Sequence, residues 1–146
     1  MVRRERGGGV GNNFQILVDS DAFVGQFYAK DPHHANALSV FSQLERNQER
    51  IAATSMVVAE TATVLSHRSG QDLARKFFSA IKKSKLPIIH INEELQEQAI
   101  NIFQNQKKRG TSMTDCANVA VANLFGIATI FSFDKFYAKQ FGMKLM

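Results

Sequence analysis

Short apolar runs alternate along the chain with longer segments in which apolar residues recur every three or four positions. Short runs suit strands buried on both faces, and the longer spacing is typical of one face of a helix. The predicted strands are residues 14–18, 50–54, 86–91 and 127–133, with a last edge strand at 143–146. The predicted helices are residues 33–45, a segment from 55 onward, a segment opened by a capping box at 69–72, and residues 92–109, 115–125 and 136–141.

Polar residues mark several of these helix boundaries. Ser55 is predicted to cap the second helix at its amino end, and Asn92 is predicted to cap the fourth. The basic run at residues 107–109 is expected in the last turn of that fourth helix, where positive charge complements the helix dipole. Gly110 would then follow as the left-handed residue that ends the helix.

The alternation of strands and helices predicts an α/β fold. Its parallel sheet of four to five strands would be flanked by helices on both faces, giving three layers (α/β/α). Residues 14–146 are expected to form one domain, since the length suits one and no repeat is visible. Residues 1–13 hold four of the nine glycines and three arginines, so they are expected to form a flexible basic arm, either a loose end or a contact to phosphates.

Composition narrows the class of protein. With 45% hydrophobic and 21% charged residues, the chain is typical of a globular protein and not of a disordered or coiled-coil one. A single cysteine excludes a disulfide framework and a multi-thiolate zinc site. No secretory signal or membrane span is visible, so a cytoplasmic location without membrane attachment is expected. The net charge of +5 is compatible with a polyanionic partner.

Four carboxylates occupy positions that a parallel sheet would bring together. Asp19 and Asp134 each follow a predicted strand, and open α/β sheets bind ligands outside the carboxyl ends of their strands. Glu60 lies in an otherwise apolar helix and Asp115 opens a helix, so both could reach the same edge. Each acid alone also has a structural explanation, as a turn residue, an exposed helix position or a partner of the helix dipole. Their joint placement favours a functional site.

A cluster of carboxylates requires positive charge. Two carboxylates about 5 Å apart repel each other by about 3 kcal/mol at an effective dielectric constant of about 20. Mg²⁺ and Mn²⁺ prefer oxygen ligands, and a pair of such ions can orient water and stabilise a phosphoryl displacement. The histidines, for which only surface or packing roles are expected, are His33, His34, His67 and His90.

The chain resembles the PIN-domain nucleases, and among them the VapC-like toxins of bacterial toxin–antitoxin pairs. The motifs that carry the resemblance are ILVDSD (16–21), VVAE (57–60), TDCA (114–117) and FSFDKF (131–136). Asp115 and Asp134 are 19 positions apart, close to the usual gap in the family. The sequence departs from the family pattern at Asp21, where Asn is commoner, and at Cys116, where Ala is more typical.

This resemblance implies a metal-dependent endoribonuclease that uses Mg²⁺ or Mn²⁺ to hydrolyse RNA phosphodiester bonds. The residues that it carries over as both catalytic and metal-ligating are Asp19, Glu60, Asp115 and Asp134. Ser20 and Ser132 would orient the carboxylates or bound water. The resemblance further implies an RNA substrate, a homodimer and, if the protein is a toxin, a cognate antitoxin. Cations that could guide RNA to the site are Arg68, Lys82, Lys83, Lys85, Lys107, Lys108, Arg109 and Lys135.

Two other functions fit parts of the sequence. The segment at residues 19–21 also resembles the opening of haloacid-dehalogenase-type phosphatases, in which the first Asp is a covalent nucleophile. The short chain and its single late acid, Asp134, argue against that phosphohydrolase. A non-catalytic PIN module that binds RNA or protein is the second alternative, although clustered acids would repel phosphates.

Overall fold

The structure is a computed structural model that describes residues 14–146, so the predicted basic arm lies outside the described residues. The strands are β1 (Ile16–Val18), β2 (Ile51–Thr54), β3 (Ile88–Ile89), β4 (Thr129–Phe131) and β5 (Lys144–Leu145). The helices are α1 (Ser20–Phe27), α2 (His34–Arg46), α3 (Ser55–Ser69), α4 (Gln71–Ser84), α5 (Glu93–Gln104), α6 (Met113–Phe125) and α7 (Phe136–Phe141). No helix in this range has the length and apolar character needed to cross a membrane.

All five strands run parallel in the order β3-β2-β1-β4-β5. β1 lies at the centre of the sheet, with β2 and β3 on one side of it and β4 and β5 on the other. The strand order therefore reverses at β1. In an open α/β sheet, such a reversal opens a crevice at the carboxyl ends of the central strands. The predicted α/β fold with a parallel sheet of four to five strands is therefore confirmed.

The sheet separates two hydrophobic cores. Alternate residues of β1 face opposite sides, with Ile16 and Val18 packing against α1–α4 and Leu17 packing against α5–α7. The first core is rich in aromatic rings, whereas the second is built largely from small residues of α6 such as Ala117 and Ala120. These small residues let α6 lie close to the sheet, which brings its first two turns to the central strands.

Several predicted boundaries were wrong. The short helix α1 was not predicted, because Asp19 can equally be a turn residue and no periodic face is evident in eight residues. Thr54, not Ser55, caps α3, and its hydroxyl accepts from the Val57 N–H (3.1 Å). The predicted capping box at 69–72 does not form, since α3 continues to Ser69 and Gly70 separates α3 from α4 without a side-chain cap.

The basic run at residues 107–109 does not lie in a helix. Asn92 caps α5 as predicted, with its Oδ1 accepting from the Leu95 N–H (2.9 Å), but α5 ends at Gln104. The dipole explanation for these cations was therefore wrong. Gly110 has a positive φ of 88°, yet it belongs to the following turn and does not end α5.

The two edges of the sheet are occupied by different kinds of residue. At the carboxyl edge, where strands end and helices begin, polar side chains cap the helices; these caps are Asp19, Thr54, Asn92 and Ser112. At the amino edge, where helices end before a strand, residues with positive φ turn the chain; they are Gln48, Lys85, Gly126 and Gly142. Within residues 14–146, the side chains that cap helices thus include Asp19, one of the predicted site residues, at the carboxyl edge.

Candidate active site

Asp19 lies where β1 leaves the sheet. Its N–H donates to the Phe131 carbonyl of the neighbouring strand (2.9 Å), which fixes its position at the carboxyl edge. The residue is 4% exposed. Its carboxylate accepts from the Ser20 N–H (2.9 Å), the Asn118 amide (3.1 Å) and the Ser132 hydroxyl (2.9 Å). Three donors hold this buried carboxylate in one orientation.

Asp21 lies in the first turn of α1 and faces the end of β4. Its Oδ2 accepts from the Phe133 N–H (2.9 Å) and the Ser132 hydroxyl (3.3 Å). Its Oδ1 is buried without a hydrogen-bond partner among residues 14–146. The Ser132 hydroxyl has only one proton to share between Asp19 and Asp21. The partnerless oxygen of Asp21 is therefore open to a proton or a cation.

Glu60 reaches the same edge from α3, which begins directly after β2. The Ser20 hydroxyl donates to its Oε2 at 2.6 Å. Glu60 is half-buried and lines a cavity of about 490 Å³ together with Asp21 and Asp134. Acids from α1, from α3 and from the loop after β4 thus border one space.

Asp115 joins the site through a chain of polar contacts. It forms a capping box with Ser112, in which each residue's N–H donates to the other's side chain (3.0 and 3.1 Å). Its Oδ1 accepts from the Tyr137 hydroxyl (3.1 Å), and that hydroxyl accepts from the Asn118 amide (3.0 Å), which also donates to Asp19. Burial, and then the charges of Asp19 and Asp115, raise the pKa of Tyr137, so the phenol stays protonated and remains a donor.

Asp134 closes the site from the loop after β4. Its N–H donates to the Ser132 hydroxyl (3.0 Å), and its Oδ1 accepts from the Phe136 N–H (2.9 Å). The ammonium of Lys108 lies 3.8 Å from the same oxygen and 5.8 Å from the centre of the Phe136 ring. Lys108 and Asp134 are both partly exposed, so this cation lies at the mouth of the acidic site.

Burial makes negative charge unfavourable at this edge. Burial, and next the Asp21 charge, raise the pKa of Asp19 to about 8. Burial raises the pKa of Asp21 to about 6, with the Asp134 charge adding to the rise and hydrogen bonds from Phe133 and Ser132 opposing it. The pKa of Asp115 is also raised by burial and by Asp134. The folded protein thus holds several carboxyl groups whose ionised forms need added positive charge.

The chemistry of the donors fits a divalent cation. Within residues 14–146, no three acidic, histidine or cysteine side chains already stand in a metal-ligating arrangement, so ligation requires side-chain rearrangement. The donors available are carboxylate oxygens, which Mg²⁺ and Mn²⁺ prefer. The buried Oδ1 of Asp21 lacks a partner, and the raised pKa values of its neighbours would fall beside a bound cation.

The structure brings together the four acids that the sequence singled out. Asp19, Glu60, Asp115 and Asp134 all lie at the carboxyl edge and are connected through shared partners. Asn118 and Tyr137, which bridge two of them, were not predicted to take part. One sequence signal could have indicated Asn118, since this amide stands three residues after Asp115 in an otherwise apolar helix.

Five of the eight predicted guiding cations can be assigned to one edge of the sheet or the other. Lys108 contacts Asp134, and Arg68 lines the same cavity as Glu60. In contrast, Lys82, Lys83 and Lys85 lie where α4 ends before β3, at the amino edge. Cations at that edge are far from the acids, so they are not positioned to guide a phosphate into the cavity.

The chain belongs to the PIN-domain family, whose model matches residues 16–140. It is 28% identical to a VapC ribonuclease of Archaeoglobus fulgidus over 109 residues, which are 73% of this chain and 69% of that protein. It is similar in structure to VapC20 of Mycobacterium tuberculosis, described as a toxin that cleaves the sarcin-ricin loop (TM-score 0.76, 23% identity, covering 86% of this chain and 94% of VapC20). It is also similar to a chain of VapBC2 from Rickettsia felis, solved bound to a promoter DNA fragment (TM-score 0.64, 17% identity, 91% and 98% covered). The predicted resemblance to VapC-like PIN proteins is confirmed.

Proposed function

We propose that this PIN-domain protein is a metal-dependent endoribonuclease and the toxin of a toxin–antitoxin pair. Its proposed catalytic and metal-ligating residues are Asp19, Glu60, Asp115 and Asp134. The observation that carries the proposal is that hydrogen bonds link the four acids at the carboxyl edge, beside Asp21, whose buried Oδ1 has no partner within residues 14–146. The VapC relatives, which are named as ribonucleases, support the same reaction class.

Each side chain of the site has a proposed task. A bound Mg²⁺ or Mn²⁺ would neutralise the carboxylates and stabilise the charge that develops on the phosphate. Ser20 fixes one oxygen of Glu60, and the other oxygen positions the water that attacks phosphorus. As the attacking water loses a proton to solvent and the new P–O bond forms, the bond to the leaving oxygen breaks, and that oxygen takes up a proton from solvent. Lys108 binds the flanking phosphate at the mouth of the site.

We further propose that a small antitoxin blocks the cavity and that the toxin acts as a homodimer in the cytoplasm. Support comes from the structural similarity to a chain of a toxin–antitoxin complex from Klebsiella pneumoniae. An antitoxin could cover the acids with a helix or an extended tail, and basic side chains on it would complement their charge. The single cysteine is in keeping with a reducing compartment.

RNA cleavage with and without divalent metal tests the reaction directly. Wild-type protein is expected to cut RNA in Mg²⁺ or Mn²⁺ and to lose this activity in EDTA, with recovery when metal is restored. Asp115→Asn is expected to be inactive at unchanged fold, as checked by circular dichroism. The matched control is Asp72→Asn, an exposed acid in the first turn of α4 that pairs with Arg75. Equal cleavage in EDTA would overturn the metal mechanism, and full activity of Asp115→Asn would overturn the assignment of that residue.

The two alternative functions are not favoured. A haloacid-dehalogenase-like phosphohydrolase would belong to a different family from the one matched over residues 16–140. A non-catalytic RNA- or protein-binding module would gain nothing from burying acids whose pKa values rise on folding. Turnover of small phosphate esters without RNA cleavage would favour the first alternative. RNA binding without cleavage, retained in Asp19→Asn, would favour the second.

A further inference from the structure

Two aromatic rings form a parallel stack at the rim of the acidic cavity. The ring of His33 lies over the ring of Phe133, with centres 4.1 Å apart and planes inclined by 7°. Phe133 is half-buried and meets the buried Phe131 edge to face (5.6 Å between centres). His33 is exposed, so the stack begins in the core and ends at the surface. We call this pair the aromatic shelf.

The shelf is held in place by an ion pair behind it. Asp31, whose side chain is 8% exposed, accepts from the His33 N–H (2.8 Å) through one oxygen. Its other oxygen accepts from the Arg68 guanidinium (3.0 Å) on α3. The loop that carries His33 is thereby tied to the helix that carries Glu60. The loop backbone is held by Asp31, and the His33 ring is held against Phe133. A ring held in this manner loses little conformational freedom when a ligand stacks on it.

The shelf and the acids border the same space. His33 and Phe133 line the cavity of about 490 Å³ that Asp21, Glu60 and Asp134 also line. Phe133 stands between Ser132 and Asp134 in the chain, and its N–H donates to Asp21 (2.9 Å). An RNA phosphate held at the acids would therefore place the adjoining nucleotide beside the shelf.

We propose that the aromatic shelf stacks with an unpaired nucleobase next to the scissile phosphate. This inference rests on the proposed ribonuclease activity and adds a base-binding subsite to it. Aromatic side chains stack with bases of any sequence, and a paired base inside a duplex does not offer its face to such a surface. His33 is exposed, so a base can reach the shelf from the solvent side.

A double-substitution cycle between protein and RNA tests the shelf. Cut sites are first mapped on total RNA with wild-type protein, and a 20-nucleotide RNA of a mapped sequence is then made intact or with an abasic residue on either side of the cut. For wild type, loss of the stacked base is expected to raise KM about tenfold with little change in kcat. For His33→Ala, the intact RNA is expected to show that same raised KM, and removal of the base is expected to have no further effect.

Two further variants separate stacking from a structural role. His33→Phe is expected to restore the low KM for the intact RNA, because a ring is kept while the imidazole is lost. The control is His67→Ala, another exposed histidine, which lies on α3 in the crevice toward α4 and should leave both KM values unchanged. An equal abasic effect in wild type and His33→Ala would overturn the shelf while leaving the ribonuclease intact. Absence of any cut site with wild type would instead overturn the proposed function.

Discussion

The carboxyl and amino edges of the sheet are the two ends of the same apolar strands, yet different kinds of residue occupy them. At the amino edge, left-handed residues such as Gly126 and Gly142 turn the chain with backbone alone. At the carboxyl edge, Asp19 and Asp21 are buried despite pKa values raised to about 8 and about 6. Turns can thus be made without buried charge, so the acids at the carboxyl edge are a cost to folding that the proposed metal site would explain.

The largest expected effect comes from removing one buried charge at the carboxyl edge. Asp19→Asn should lower RNA cleavage by about 100-fold or more, as for loss of a single catalytic group. The same change should raise the free energy of unfolding of the metal-free protein at pH 8, because a buried carboxylate is replaced by a neutral amide. Cleavage rates and chemical denaturation measure the two effects. A variant that is both less active and less stable would contradict the idea that this charge is kept for function.

Metal-free stability should fall with rising pH. Between pH about 4 and about 8 the folded Asp19 keeps a proton that the unfolded chain gives up, so the free energy of unfolding decreases across this range. Asp21 contributes in the same direction up to pH about 6. The melting temperature in EDTA is expected to drop by several degrees between pH 5 and pH 8, and Mg²⁺ should reverse the drop. Asp72→Asn should melt with the wild-type pH dependence, and a flat profile for wild type would argue against raised pKa values.

Loss of the Tyr137 hydroxyl, which links two acids of the site, should reduce RNA cleavage less than loss of an acid. Tyr137→Phe removes the hydroxyl that joins Asn118 to Asp115. Its expected effects are a destabilisation of about 1 kcal/mol and a roughly tenfold loss of cleavage, since Asp115 would lose its orienting donor. Denaturation and single-turnover rates measure both. Tyr28→Phe, at the end of α1, is a matched control expected to keep wild-type rates.

The smallest expected effect distinguishes cations at the two edges. Lys108→Ala should raise KM for RNA about threefold and reduce the slope of log affinity against log salt by roughly 0.7. Lys83→Ala, at the amino edge, removes an equal charge and should change neither value. Equal effects of the two substitutions would mean that the whole basic surface, rather than the mouth of the site, attracts the substrate.

Much of the fold could be predicted because its signals are local. The apolar run ending at Asp19 is enough to indicate a buried strand, and Asn92 is enough to indicate the start of α5. The end of α5 was missed because the run at residues 107–109 satisfies the helix-dipole rule whether or not the helix reaches it. A local rule of this kind cannot distinguish a cation at the end of a helix from a cation that contacts a distant acid. Lys108 is of the second kind, since it contacts Asp134 after β4.

The acids of the candidate site could also be predicted, since strand ends and apolar surroundings are visible in sequence. The hydrogen bonds that connect these acids could not be predicted from the sequence. The amide of Asn118 contacts Asp19, 99 positions earlier, and Tyr137 contacts Asp115 from a different helix. Such pairs depend on how closely α6 and α7 pack against the sheet, which no periodicity in one segment reveals.

The lone thiol of the chain offers a way to observe α6 opening. Cys116 is fully buried directly after Asp115, and burial raises the pKa of its thiol to about 11. The folded protein should therefore resist maleimide, and labelling should proceed only as fast as the amino end of α6 detaches. If labelling is slower in Mg²⁺, the labelling rate of this native thiol measures how often the amino end of α6 opens and how far the metal suppresses that opening.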